Sequence, residues 1–302
     1  MTTLAVACLF ASAAWAHGGG VPRQPTRYLD FGGVHLAVYE GQGTQGPGVL
    51  LVHGNTASAD YFARTLAPLL AGPLRIAAVE LPGCGNSEDA PAYSAGYLAQ
   101  AIAFAAQEVH AEEGVLVGWS LGGDLVLQAS HLLPNVKGYL LIGTAPLGFA
   151  PDLPPPLLSP AQSPAGAAVQ YGFVPNLTQP MIDDYVRAFF RPGYPGIPAE
   201  FFQAGYRADP GIRLAVATAA AGLDPTFRDE VAAIKALTVP VALIAGQRDA
   251  FVNPAFLSGL AAQLPTLWHH QVFYVPETGH AVQWERPVFF ALLLHAFVHD
   301  VR

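Results

Sequence analysis

Gly114-Val115-Leu116-Val117-Gly118-Trp119-Ser120-Leu121-Gly122-Gly123 is an apolar run that stops on glycine, presents one serine, and continues into the helical spacing of Leu121–Leu133. A continuous apolar strand of this kind belongs to a parallel sheet buried on both faces. The pattern G-x-S-x-G at the strand-to-helix junction has a steric reason. A turn that sharp leaves no room for Cβ atoms on either side of the serine, and it lifts the hydroxyl above the carboxyl edge of the sheet. The following helix offers unpaired backbone N–H groups at the same point.

Working outward, the strand and helix signals alternate. Arg27–Phe31 and Val34–Glu40 read as a hairpin about Gly32-Gly33. Gly48–Val52 reads as a strand followed by a helix over Ala59–Ala71, and Arg75–Leu81 as a strand followed by a helix within Tyr93–His110. Val136–Gly143 continues the series, and Val239–Ala245, Pro254–Leu264, His270–Val275 and Pro287–Val301 complete it as strand, helix, strand and closing helix. The rhythm breaks over residues 146–230, which are rich in proline, include Pro154-Pro155-Pro156, and carry short helical pieces at Gln179–Phe190 and Ile212–Ala221. The expected fold class is therefore α/β. A mostly parallel twisted sheet, from residues 26–145 and 231–302, is flanked by helices, and a helical cap, 146–230, is inserted between the sixth and seventh strands.

Composition narrows the function. Of 302 residues, 52% are hydrophobic and 12% charged, which excludes a disordered chain. Twenty-two acidic against fourteen basic residues give a net charge of −8, so there is no basic footprint for nucleic acid. Cys8 and Cys84 are too few for a disulfide framework or the usual zinc motifs, and His295 and His299 lack both a third ligand and the glutamate of a zinc-peptidase helix. No metal and no cofactor are expected. Residues 1–16 carry no charged side chain, hold the apolar run Leu4–Trp15, and end in Ala14-Trp15-Ala16. They read as an export signal cut before His17, followed by a flexible segment, 17–25, which predicts a periplasmic or secreted protein; a chain that lacked such processing would be cytoplasmic. No other stretch reaches the roughly 18 apolar residues of a membrane span.

A serine hydroxyl needs a base, and the base needs a group to hold its tautomer. Asp249, in Ala245-Gly246-Gln247-Arg248-Asp249, and His280, in Glu277-Thr278-Gly279-His280, each follow a strand and stand after Ser120 in the order serine, acid, histidine. Val52-His53-Gly54-Asn55-Thr56 ends another strand. There the Asn55 N–H, with that of Leu121, would form an oxyanion hole. Trp119, beside the serine, is expected to face the substrate. Cap aromatics such as Tyr171, Phe173, Tyr185, Phe189, Phe190, Phe201, Phe202 and Tyr206 fit pocket lining or cap packing equally well.

With these residues in view, the chain from Arg27 to Arg302 resembles the α/β-hydrolase fold family. Besides the serine elbow, Glu80-Leu81-Pro82-Gly83-Cys84-Gly85-Asn86-Ser87 is similar to the family's acidic-x-P-G-x-G-x-S turn, with glutamate in place of the more usual aspartate. The resemblance implies Ser120 as nucleophile, His280 as base, Asp249 as orienting acid, and a lid over the pocket. Ser120 sets the chain apart from haloalkane dehalogenases and epoxide hydrolases, which use an aspartate. His53-Gly54-Asn55 does not continue as the HGGG of one lipase group, and Gly143-Thr144-Ala145 leaves the alternative acid position empty. The nearest branch is that of lidded serine esterases and lactonases. The expected activity is cleavage of a small apolar carboxylic ester or lactone through an acyl-enzyme. A carbon–carbon bond hydrolase, a cofactor-free perhydrolase or haloperoxidase, and a non-catalytic ligand receptor are alternatives on the same residues.

Overall fold

In the computed structural model, which describes residues 24–65 and 72–302, eight strands form one sheet. They are β1 (Arg27–Phe31), β2 (Val34–Glu40), β3 (Gln45–Val52), β4 (Leu74–Val79), β5 (Val115–Trp119), β6 (Gly138–Ile142), β7 (Val241–Gly246) and β8 (Leu267–Val275). Their order is β1-β2-β4-β3-β5-β6-β7-β8. β1 and β2 pair as the expected hairpin, β2 runs antiparallel to β4, and the remaining pairs are parallel. β5 lies near the middle of the sheet, so its carboxyl end, with the G-x-S-x-G turn, opens where neighbours on both sides can contribute loops.

Alternation along the strands builds two cores. Val49, Leu51, Val115, Val117, Leu140, Ile142, Ala242 and Ile244 face one way, and Leu50, Val52, Leu116, Tyr139, Leu141, Val241 and Leu243 the other. The second face is covered by α1 (Ala95–Glu108), α2 (Leu121–Ala129), α6 (Glu230–Ala236) and α7 (Pro254–Ala261). The first is covered by the short α8 (Val282–Glu285), the closing helix α9 (Pro287–Asp300) and part of the insertion. Helix starts follow their caps: Ser94 accepts from the Tyr97 N–H ahead of α1, and Asn253 from the Ala255 N–H ahead of α7.

Between β6 and β7 the chain leaves the sheet as α3 (Gln179–Ala188), α4 (Ala199–Arg207) and α5 (Pro210–Ala220), preceded by a 3-10 segment, Gly166–Phe173. Two expectations change. The helix expected over Ala59–Ala71 begins as a 3-10 turn, Ala59–Phe62, and its second half lies outside the described residues, as does the stretch 1–16 expected to be an export signal. The last strand starts at Leu267 rather than His270, because His269 and His270 both take positive φ, 54° and 55°, and shift the register against β7 without ending the strand. No helix among the described residues is long and apolar enough to cross a membrane.

Candidate active site

Ser120 sits between β5 and α2 with φ 54° and ψ −126°, a backbone conformation that a side-chain-bearing residue seldom adopts. Strain of this kind costs about 1–3 kcal/mol and persists where the surroundings enforce it. The enforcement is visible. The Ser120 N–H donates to the Ile142 carbonyl at 2.8 Å, and its own carbonyl accepts from Gly123 at 2.7 Å and from Asp124 at 3.2 Å. Gly118 and Gly123 lie so close that a Cβ on the first would strike the backbone of the second, and a Cβ on Gly122 would strike the carbonyls of Val52 and His53.

His280 follows β8, and its Nδ1 lies 2.8 Å from Asp249 Oδ2, on the loop after β7. The other carboxylate oxygen of Asp249 accepts the backbone N–H groups of Phe251, at 2.7 Å, and Val252, at 3.1 Å. Both side chains are almost fully buried, and the imidazole is packed by Phe251, with ring centres 4.7 Å apart, and by Phe189 at 5.9 Å. His280 Nε2 is buried without a hydrogen-bond partner among the described residues. The imidazole and Ser120 line one narrow cavity, and Asn55 and Leu121 line it too. As the first residue of α2, Leu121 carries an N–H with no intrahelical acceptor.

One expected contact is corrected. Trp119 does not line this cavity: it is fully buried on the face of the sheet shared by Val115 and Val117, against Tyr61 and Phe189. Its indole N–H donates to the His280 carbonyl at 3.0 Å, so the side chain holds the histidine loop. The aromatics of the insertion divide. Phe173 and Tyr185 reach the cavity, whereas Phe189, Phe190 and Phe201 are buried against Tyr61, Trp119 and Trp284.

Several positioning residues escaped the sequence reading. His53 is buried; its Nε2 accepts the Leu81 N–H at 3.1 Å, which leaves the ring proton on Nδ1 to donate to the Gly54 carbonyl at 2.8 Å. The ring ties the loop of Asn55 to the turn after β4. Arg213, buried on α5, donates to the carbonyls of Val174 and Pro175 and to Thr56 Oγ1 at 3.2 Å; Thr56 donates to Asn55 Oδ1, and Asn55 Nδ2 to the Gly172 carbonyl at 2.8 Å. This chain of bonds fixes the Asn55 loop to the insertion. Glu285 does the same for the histidine loop, accepting the Gly279 and Arg191 N–H groups at 2.9 Å each.

Glu80, in the turn that follows β4, accepts the Asn86 N–H at 2.6 Å and the Ala59 N–H at 3.2 Å, yet burial outweighs these bonds and pushes its carboxyl up to about 7. In the unfolded chain the group titrates near 4.5. The folded state therefore holds a proton that the unfolded state has lost, and this contribution, fully present below about pH 4.5, fades as pH rises through 7. Comparing urea midpoints of the wild type and Glu80→Gln from pH 4.5 to 8 should show the wild type losing about 3 kcal/mol that the variant does not lose. His53, pushed down to about 4 by burial, contributes the opposite slope below pH 6.5, equally in both proteins. Parallel curves would mean that Glu80 is ionised throughout.

A profile of the Alpha/beta hydrolase family matches residues 49–291. The pimeloyl-[acyl-carrier protein] methyl ester esterase of Stenotrophomonas maltophilia (strain K279a) is 29% identical over 244 residues, 78% of this chain and 87% of that protein. The esterase of the same name from Xanthomonas oryzae pv. oryzae (strain MAFF 311018) is 35% identical over 102 residues, 33% of this chain and 38% of that protein. Among solved structures, a variant of the N-acyl homoserine lactonase AidH complexed with N-hexanoyl homoserine lactone superposes with a TM-score of 0.80 at 25% identity, covering 91% of this chain and 97% of that one. A thermophilic esterase from Thermogutta terrifontis, at 20% identity and a TM-score of 0.71 over 91% of this chain and 97% of that one, shares the fold. Since the profile runs from β3 past the histidine loop into α9, and the sheet and its strand-end loops are arranged as described, the chain belongs to the α/β hydrolase family.

Proposed function

We propose that the chain is a serine hydrolase of carboxylic esters or lactones, acting through Ser120, His280 and Asp249. The observation that carries this reading is the state of the imidazole. One nitrogen is committed to a buried carboxylate, and the other is buried without a partner and lines the same cavity as a serine on a strained elbow. An imidazole so held is a base awaiting a proton. In the reaction, His280 Nε2 takes the proton of Ser120 as its Oγ attacks the carbonyl carbon. Asp249 steadies the resulting imidazolium. The N–H groups of Asn55 and Leu121 receive the developing oxyanion, a contribution on the order of 2.7–4 kcal/mol for each such donor. The imidazolium then protonates the leaving oxygen, and water, activated by the same base, releases the acid from Ser120.

The relatives support the ester class, being named for a methyl ester and for an acyl homoserine lactone. Residues 146–230 act as the cap over a core of 26–145 and 231–302, and their share of the cavity wall, with Leu147, Leu157, Val169, Phe173, Tyr185 and Val216, suits a small apolar acyl group. Residues 1–16 would direct export. The reaction as written uses no cofactor.

A fluorophosphonate probe tests the reading on protein beginning at His17. Wild type should be labelled and Ser120→Ala should not, and p-nitrophenyl esters of graded length should show turnover that peaks at one chain length. A wild type that neither takes the probe nor turns over any ester of the series would sink the proposal.

A further inference from the structure

The wall of the cavity shared by Ser120 and His280 is mainly apolar, and one carboxyl stands in it: Asp124, in the first turn of α2. Its backbone N–H donates to the Ser120 carbonyl at 3.2 Å, which sets its side chain one helical turn beyond the nucleophile. Asp124 Oδ1 is buried and has no hydrogen-bond partner among the described residues. The contrast with its neighbour Glu230 is informative. Glu230 is buried, and its two oxygens accept from Gln128 Nε2 at 2.9 Å and from the Leu147 N–H at 2.7 Å. One member of this acidic pair is built into the frame, and the other is left facing the cavity.

A carboxylate in the first turn of a helix normally ionises readily. Burial, reinforced by repulsion from Glu230, instead holds the Asp124 carboxyl well above the usual carboxylate range. A neutral carboxyl is an O–H donor, and in an apolar wall a donor without an acceptor is a vacancy in recognition. Resting on the ester-hydrolase reading, we propose that Asp124 sets specificity by donating a hydrogen bond to an oxygen on the acyl chain near the scissile carbonyl, so that 3-oxo acyl esters or lactones are preferred substrates. Ser120 and Asp124 line the same narrow cavity about one helical turn apart, so an acceptor that meets the Asp124 O–H lies close to the carbonyl that Ser120 attacks, and a 3-oxo group offers a carbonyl acceptor there.

The test is the ratio of kcat/KM for methyl 3-oxohexanoate to that for methyl hexanoate, followed by base uptake at constant pH with the wild type, Asp124→Leu and Asp124→Asn. Comparing ratios between proteins cancels the greater intrinsic reactivity of the 3-oxo ester. In Asp124→Leu the ratio should fall about tenfold. In Asp124→Asn, whose amide can donate from the same place, it should stay within about threefold of wild type. Asp124→Ala reads the same ratio without filling the space and should behave as the leucine variant does. An unchanged ratio in the leucine and alanine variants overturns the inference and leaves the ester reading standing. A wild type that takes the fluorophosphonate probe but hydrolyses neither ester overturns this inference alone, and one that neither takes the probe nor hydrolyses any ester overturns both.

Discussion

Gly143→Ala is expected to lower kcat/KM for ester hydrolysis by about a hundredfold while the protein still folds. Gly143 follows β6 directly with φ 53°, and a Cβ built on it would stand 2.8 Å from His280 Nδ1, 3.0 Å from Cε1 and 3.3 Å from Asp249 Oδ2. The atoms in the way are those of the proposed base and its carboxylate partner. The imidazole cannot yield toward Phe251 or Phe189, which pack against it, so a shift must move Nε2 within the cavity or lengthen its tie to Asp249. The left-handed backbone adds about 1–2 kcal/mol of strain for alanine, enough to lower Tm by about 2–3 °C. Steady-state kinetics with a thermal melt separates the two effects. A folded variant within threefold of wild-type activity would mean that the imidazole has slack its packing does not suggest.

The same glycine shows what a sequence can and cannot disclose. The absence of a carboxylate in Gly143-Thr144-Ala145 is legible as the absence of an alternative acid. That the gap is filled by the pair from two other strands is not, because it depends on β6 lying beside β7. Ser120, Asp249 and His280 are legible because each closes an apolar run, and an open parallel sheet collects such ends at one edge. Arg213 and Thr56 meet across 157 positions, and His53 and Leu81 across 28, with no periodicity or motif to announce either contact. Trp119 had a signal that local proximity to Ser120 obscured: in β5 it stands two residues from Val117 and four from Val115, on the one face that meets the packed core. The cap aromatics stay undivided in sequence because lining and packing ask for the same residue types. The distinction is made by what Tyr61 and Trp284 bring from elsewhere.

Asp249→Asn should cost more than Gly143→Ala, about 10⁴-fold in kcat, with almost no change in fold. The reason lies in the other oxygen. Asp249 Oδ1 accepts two backbone N–H groups, from Phe251 and Val252, and only an oxygen can fill that place. An asparagine there must keep its carbonyl on those donors, so its amide nitrogen faces His280 Nδ1, now as a donor. To accept that bond the imidazole must carry its single proton on Nε2, the atom from which Ser120 would be activated, and a protonated Nε2 cannot serve as the base. The damage is thus a reversed tautomer in an intact site. Unchanged substrate KM and melting temperature should accompany the collapse of kcat. Asp249→Ala, which leaves Nδ1 without a competing donor, should be the less damaged of the two in kcat. If instead the asparagine variant keeps a tenth or more of wild-type turnover, Asp249 is not the residue that orients His280.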